Sequence, residues 1–256
     1  MENSNLPRLS LGRFCVIVLI MRKLQFVNDE IYHIYNRGVD KRNIFLDDQD
    51  YFRFIHDLFE FNDEAPAPNS YYFYSKREDP QFSEVKPRKV NRGIRKLLVE
   101  ILVFCLMPNH YHLLLKQKRN NGITRFMQKF GTGYTMYFNK KQERTGSLFQ
   151  GSYKAVPVSR EAHFIHLPYY IQLNPLDLIM PEWRMGKIKN YKKAAEFLES
   201  YRWSSHLDYI GKKNFPSVTQ REFLLKIFGE PKNYKKEVTN WLKEMDLAEI
   251  KKLTLE

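Results

Sequence analysis

Residues Pro108-Asn109-His110-Tyr111-His112-Leu113-Leu114-Leu115 put two histidines on either side of one aromatic, ahead of an apolar run. In an extended strand, positions i and i+2 share a face. His110 and His112 then project together, with Tyr111 on the opposite face, and two imidazoles on one strand face are half of a divalent-metal site. Downstream lies Tyr169-Tyr170-Ile171-Gln172-Leu173-Asn174-Pro175. On a helix, i and i+4 share a face, so Tyr170 and Asn174 project about one turn apart. A phenol is a nucleophile and an amide oxygen is a hard ligand. If this helix packs over the strand, His110, His112 and Asn174 can hold a cation beside the Tyr170 hydroxyl. None of these ligands is anionic, which suits Mg²⁺ or Mn²⁺ bound jointly with a phosphodiester. The matching reaction is transesterification on DNA: Tyr170 attacks phosphorus, a 3′-hydroxyl leaves, and a 5′-phosphotyrosine forms. A free phenol ionises only near pH ~10, so some group must help it lose its proton. The sequence does not identify that group.

Other residues compete for these roles. Tyr169 has Gln172 at i+3, a second phenol and amide pairing. His163 and His166 are helix neighbours at i+3, better suited to packing than to zinc. His33 reads as a sheet histidine or a neighbour of the site, and Tyr134 and Tyr137 as core or groove residues. Asn36, Arg37, Lys140, Lys141, Arg144 and Lys154 are candidates to grip nucleic acid.

The elements that must position these groups follow from periodicity. Residues 30–37 alternate and are rich in β-formers, predicting a strand that ends at Gly38. Asp47 to Asp50 mark a helix start, with apolar residues at helical spacing through Phe61. Residues 62–97 turn polar, charged and Pro-containing, predicting an inserted loop with a short strand at Tyr71–Tyr74 or a helix near Ile94. Its Lys86, Arg88, Lys89, Arg92 and Arg95 could touch nucleic acid. Residues 98–106 and 111–116 predict two strands around a Met107-Pro108-Asn109 turn. A helix follows over 123–141, kinked at Gly131 and Gly133. Residues 146–158 predict loop and strand. A second helix starts at Ser159, a candidate N-cap, and ends near Asn174. Past Asp177 the chain reads as helical and basic. This order predicts an α+β fold: a ferredoxin-like antiparallel sheet with helices packed on one face, plus a helical C-terminal extension. The domain reading is an N-terminal extension over 1–20, a catalytic domain over 21–176 with the 62–97 insertion, and a C-terminal region over 177–256. Met21 is a candidate true start.

Composition narrows the class. The 256 residues carry 42 Lys and Arg against 29 Asp and Glu, a formal net charge of +13 spread along the chain. Such a protein attracts polyanions, which puts nucleic acid first among partners. Aromatics make up 15%, with 16 Tyr and 19 Phe, enough for a core and for base stacking. Cys15 and Cys105 form no framework, which points to a reducing cytoplasm. The apolar run Phe14 to Met21 is too short to span a bilayer, so no membrane role is expected.

The motifs together resemble a known family. Met107 to Leu115 resembles the His-hydrophobe-His motif of single-tyrosine transposases in the HUH superfamily, and Tyr32-His33-Ile34-Tyr35-Asn36-Arg37-Gly38 resembles their first strand. Gly146 to Lys154, Tyr170 to Pro175 and Tyr201-Arg202-Trp203-Ser204-Ser205 complete an ordered set like that of REP-associated tyrosine transposases of bacteria. The resemblance covers about Met21 to Ile210. It implies a ferredoxin-like fold and metal-dependent cleavage and joining of single-stranded DNA, often at hairpin-forming repeats. It also implies His110, His112 and Asn174 as ligands, Tyr170 as nucleophile, and a cytoplasmic, nucleoid-associated setting with no small-molecule cofactor. A homodimer and a monomer both fit. Two departures stand out: Pro168 inside the second helix, and the long polar insertion. Two other classes remain in view, a DNA-binding regulator without catalysis and a metal-dependent nuclease that uses water.

Overall fold

The computed structural model describes residues 24–66, 94–158 and 161–244, with the side chains of 161–163 and 244 left aside. The expectations for residues 1–20, Met21, Cys15, Tyr71–Tyr74, Ser159, the His163 side chain and Lys86, Arg88, Lys89 and Arg92 lie outside the described residues.

Strand β1 (Ile31–Arg37) is followed by helix α1 (Asp48–Glu60), the β2–β3 hairpin (Val99–Met107, His110–Gln117), helix α2 (Gly122–Lys141) and β4 (Lys154–Pro157). The sheet order is β2-β3-β1-β4, and every neighbouring pair is antiparallel. This is the split βαβ arrangement of a ferredoxin-like unit, as expected. Asp47 caps α1 by accepting from the Asp50 amide, the N-terminal signal visible in the acidic run.

Alternation along the strands sorts side chains to two faces. Tyr32, Ile34, Tyr111, Leu113 and Leu115 join Phe54, Phe126, Phe130 and Tyr134 in one core, beneath α1 and α2. Both helices of the unit thus lie on one face. Leu114, Cys105 and Met107 point the other way, into a second core. That core is closed by α3 (Glu161–Leu173), α4 (Tyr191–Ser200), α6 (Glu222–Phe228) and α7 (Pro231–Glu244), with a short helix α5 (His206–Tyr209) before α6. The helical C-terminal region therefore covers the sheet's second face. The register of β2 shifts between Ile101 and Val103. This bulge sends both Leu102 and Val103 into the second core, and Tyr209 donates to the Leu102 carbonyl at 2.6 Å.

Two local expectations change. Helix α2 runs continuously from Gly122 to Lys141, and Gly133 lets the Phe61 ring pack close against its backbone. Residues 94–97 are not helical; Arg95 lies over the Phe59 ring at 3.8 Å and donates to the Phe59 and Asn62 carbonyls.

Candidate active site

The histidines sit on the second face, where β3 meets β1. His110 pairs across the ladder with Arg37, and His112 with Tyr35. Their ring centroids are 5.0 Å apart, nearly perpendicular. Tyr111, between them, packs edge-on against Phe130 and Phe149 in the opposite core. The sequence alternation therefore brings the two imidazoles together as expected.

Each imidazole is oriented by a neighbour. His110 Nδ1 lies 2.6 Å from the Asn109 side-chain oxygen. An amide oxygen only accepts, so Nδ1 carries the proton and Nε2 keeps its lone pair. That Nε2 is buried and has no hydrogen-bond partner. His112 Nδ1 lies 3.0 Å from His33 Nε2, with the rings stacked at 5.2 Å. Burial, then the charge of Arg37, lowers the His110 pKa to about 4. Burial, then His110 and His33, holds His112 well below its ordinary value. Both rings are neutral near pH 7, the state in which imidazole binds metal. The arrangement fits a divalent cation: an orphaned, buried, lone-pair nitrogen beside a second neutral imidazole. Among the described residues no three His, Cys, Asp or Glu side chains form a metal-binding group, so further ligands would come from amide, water or phosphate oxygens.

Helix α3 carries the second constellation. Pro168 lies inside it, and Asn174 opens a 3-10 turn, Asn174–Leu178. Asn174 donates from Nδ2 to the Tyr170 and Ile171 carbonyls at 3.0 and 3.2 Å, so the side chain folds back along its own helix end. Its Oδ1 accepts from Arg184 Nη2 at 2.6 Å. The other terminal nitrogen of Arg184 donates to the Tyr170 hydroxyl. Asp177 fixes the guanidinium through Nε at 2.8 Å and Nη2 at 2.7 Å, and itself accepts from the Trp183 indole at 2.6 Å. Burial works against the charge of Arg184, but Asp177 and Tyr170 outweigh it and raise its pKa. Arg184 lies in a 3-10 turn, Pro181–Met185, between the motifs and part of none. Neither periodicity nor spacing marks it.

The field of Arg184 reaches both histidines and lowers their pKa values, while Asp177 acts oppositely on His110. Tyr169 and Gln172 face elsewhere. Tyr169 packs against Phe228, Tyr234 and Trp241. Gln172 bonds His206, Tyr234 and Ser205 at 3.2, 2.9 and 3.2 Å. His166 accepts from the Trp241 indole at 2.9 Å, a packing role.

A cavity of about 270 Å³ opens at His110, walled by Tyr35, Asn36, Arg37, Gln150, Ser152 and Lys154. Three of the predicted nucleic-acid contacts, Asn36, Arg37 and Lys154, thus meet one predicted ligand. Tyr170 and Asn174 are not in this wall. Lys141 is held by Asp47 and Asp50, both at 2.8 Å, at the start of α1. Arg144 bonds the Asn139 oxygen and the Ser147 carbonyl at 3.0 and 2.9 Å. Neither Lys140, Lys141 nor Arg144 lines the cavity.

Residues 82–174 match the family described as "Transposase IS200 like". The matched stretch contains His110, His112, Tyr170 and Asn174. No curated protein matches the chain. A solved structure titled "Structure of the REP associates tyrosine transposase bound to a REP hairpin" is similar at 12% identity, over 77% of this chain and 88% of that one, with a TM-score of 0.44. Among the described residues no helix is long and apolar enough to cross a membrane.

Proposed function

We propose that the chain cleaves and rejoins single-stranded or hairpin DNA through a covalent 5′-phosphotyrosine on Tyr170. In this reading residues 21–176 form the catalytic domain and residues 177–256 a helical region that supplies Arg184. His110 and His112 would hold Mg²⁺ or Mn²⁺, with the Asn174 oxygen as third ligand once it turns from the Arg184 Nη2 that it accepts from in this structure. The cation would polarise the scissile phosphate and offset charge on its oxygens. Arg37 and Lys154, in the cavity wall beside His110, attract the DNA backbone, and Asn36 offers an amide to it. Tyr170 supplies the attacking oxygen, and one phosphoester replaces another, so the step reverses without an energy source.

The observation that carries this reading is His110. Its Nε2 is buried, unpartnered and tautomer-set, and it opens onto a cavity walled by Arg37 and Lys154. The test is to incubate 3′-end-labelled hairpin DNA with the protein and Mn²⁺, then denature. Label that stays on the protein, and is lost in Tyr170→Phe, supports transesterification. Cleavage without attachment would replace it with a water-using nuclease, and binding without cleavage with a DNA-binding regulator.

A further inference from the structure

Attack by a phenol leaves one question open: what carries the charge on its oxygen. We infer that Arg184 is a catalytic residue that stabilises negative charge on the Tyr170 oxygen in both cleavage and rejoining. This rests on Tyr170 being the nucleophile, as proposed above.

The geometry is specific. One edge of the guanidinium, Nε and Nη2, is locked against Asp177 at 2.7–3.0 Å. The adjoining edge is thereby aimed at the Tyr170 hydroxyl through Nη1 and at the Asn174 oxygen through the shared Nη2. The Trp183 indole donates to Asp177 and Arg184 lies over the Trp183 ring at 5.1 Å, so the carboxylate is itself held still. A planar fork fixed on one side and presented on the other is a preorganised donor, which needs no rearrangement when charge appears. A simple surface ion pair with Asp177 would not require the second edge to meet a phenol.

The chemistry balances without a further reactant. In cleavage, the phenol releases its proton to solvent, its oxygen forms the O–P bond, the P–O3′ bond breaks, and the 3′ oxygen takes a proton from solvent. In rejoining, the 3′ hydroxyl releases its proton to solvent and its oxygen attacks, the O–P bond to Tyr170 breaks, and the phenol oxygen leaves and takes a proton from solvent. The phenol oxygen is close to neutral in both ground states and partly negative in the transition state they share. A fixed cation there lowers the barrier in both directions and leaves their ratio nearly unchanged.

Single-turnover rates of adduct formation and of adduct consumption by an added 3′-hydroxyl strand test this. Arg184→Gln should slow both by about 100-fold or more, the effect of removing one donor to a developing oxyanion. The equilibrium fraction of adduct should stay near that of the natural chain. Replacing Tyr170 by 3,5-difluorotyrosine, a better leaving group, should recover much of the loss in the variant and change the natural chain little. If Arg184→Gln does not fold, Arg184→Lys carries the same comparison. Native rates in a folded Arg184 variant, or equal fluorine sensitivity with and without Arg184, would overturn the inference. Adduct that persists in Tyr170→Phe would instead overturn the assignment of the nucleophile.

Discussion

The Nε2 of His33 and the Nδ1 of His112 lie 3.0 Å apart, on neighbouring strands. In the tautomer with the proton on Nδ1, His112 donates to His33 and its Nε2 keeps the lone pair that a cation needs. In that tautomer His33 acts on the proposed metal site through His112. His33→Phe, which keeps the bulk, is expected to weaken Mn²⁺ binding about 10–100-fold, the usual effect of losing a partner behind a ligand. Titration with Mn²⁺ followed by electron paramagnetic resonance measures this without DNA. An unchanged affinity would make His33 a packing residue only.

Acid should destabilise the fold through its neutral buried histidines. Burial lowers the pKa of His206 to about 4, that of His110 to about 4 and that of His33 to about 3, from an ordinary 6.5. Below 6.5 the unfolded chain takes up protons that the folded one refuses, so stability falls with pH until the folded values are reached. The melting temperature should drop between pH 7 and pH 4. His206→Asn, which removes one of these groups away from the proposed metal, should flatten that slope. An unaltered slope would show that other groups set it.

Two glycines of α2 should respond oppositely to alanine. Nothing lies within 4 Å of where a Gly131 side chain would begin, so Gly131→Ala should stabilise by about 0.5–1 kcal/mol through helix propensity. A Cβ on Gly133 would meet the Phe61 ring, so Gly133→Ala should gain nothing or destabilise. Denaturant midpoints of the two variants decide it. Equal stabilisation would mean the ring moves aside freely.

Basic residues should divide by role. Arg37→Ala or Lys154→Ala should weaken binding to a single strand whatever its sequence. Each should lower the slope of log affinity against log salt by about 0.7. Lys141→Ala should instead lower stability, since it leaves buried Asp50 without one of its partners. Fluorescence anisotropy across a salt series separates the two classes. A full salt slope in Lys154→Ala would take Lys154 out of the interface.

Gln172 should hold the tyrosine helix in place. Its side chain ties α3 to His206, Tyr234 and Ser205. Gln172→Leu leaves these buried groups unsatisfied and should cost about 1–3 kcal/mol. Urea unfolding measures it; a neutral change would mean the network is dispensable.

Local patterns carried much of this protein. The period-two alternation of residues 110–115 already paired the histidines and sent Tyr111 to the other face, because side-chain direction in a strand depends on the backbone alone. Helical spacing likewise separated Tyr170 and Asn174 from Tyr169 and Gln172. The acidic run at Asp47 marked the start of α1 for the same kind of reason, a cap that acts within one turn. The tertiary structure decided what partners these groups. His33 reaches His112 across 79 positions, and Arg184 reaches Tyr170 across 14 from a turn without any motif. The bulge at Leu102 and the approach of the Phe61 ring to Gly133 were equally hidden, since one depends on strand register and the other on where that ring comes to rest. Such contacts depend on how separate elements meet in space. That meeting is governed by packing of both sheet faces, which no single stretch of sequence encodes.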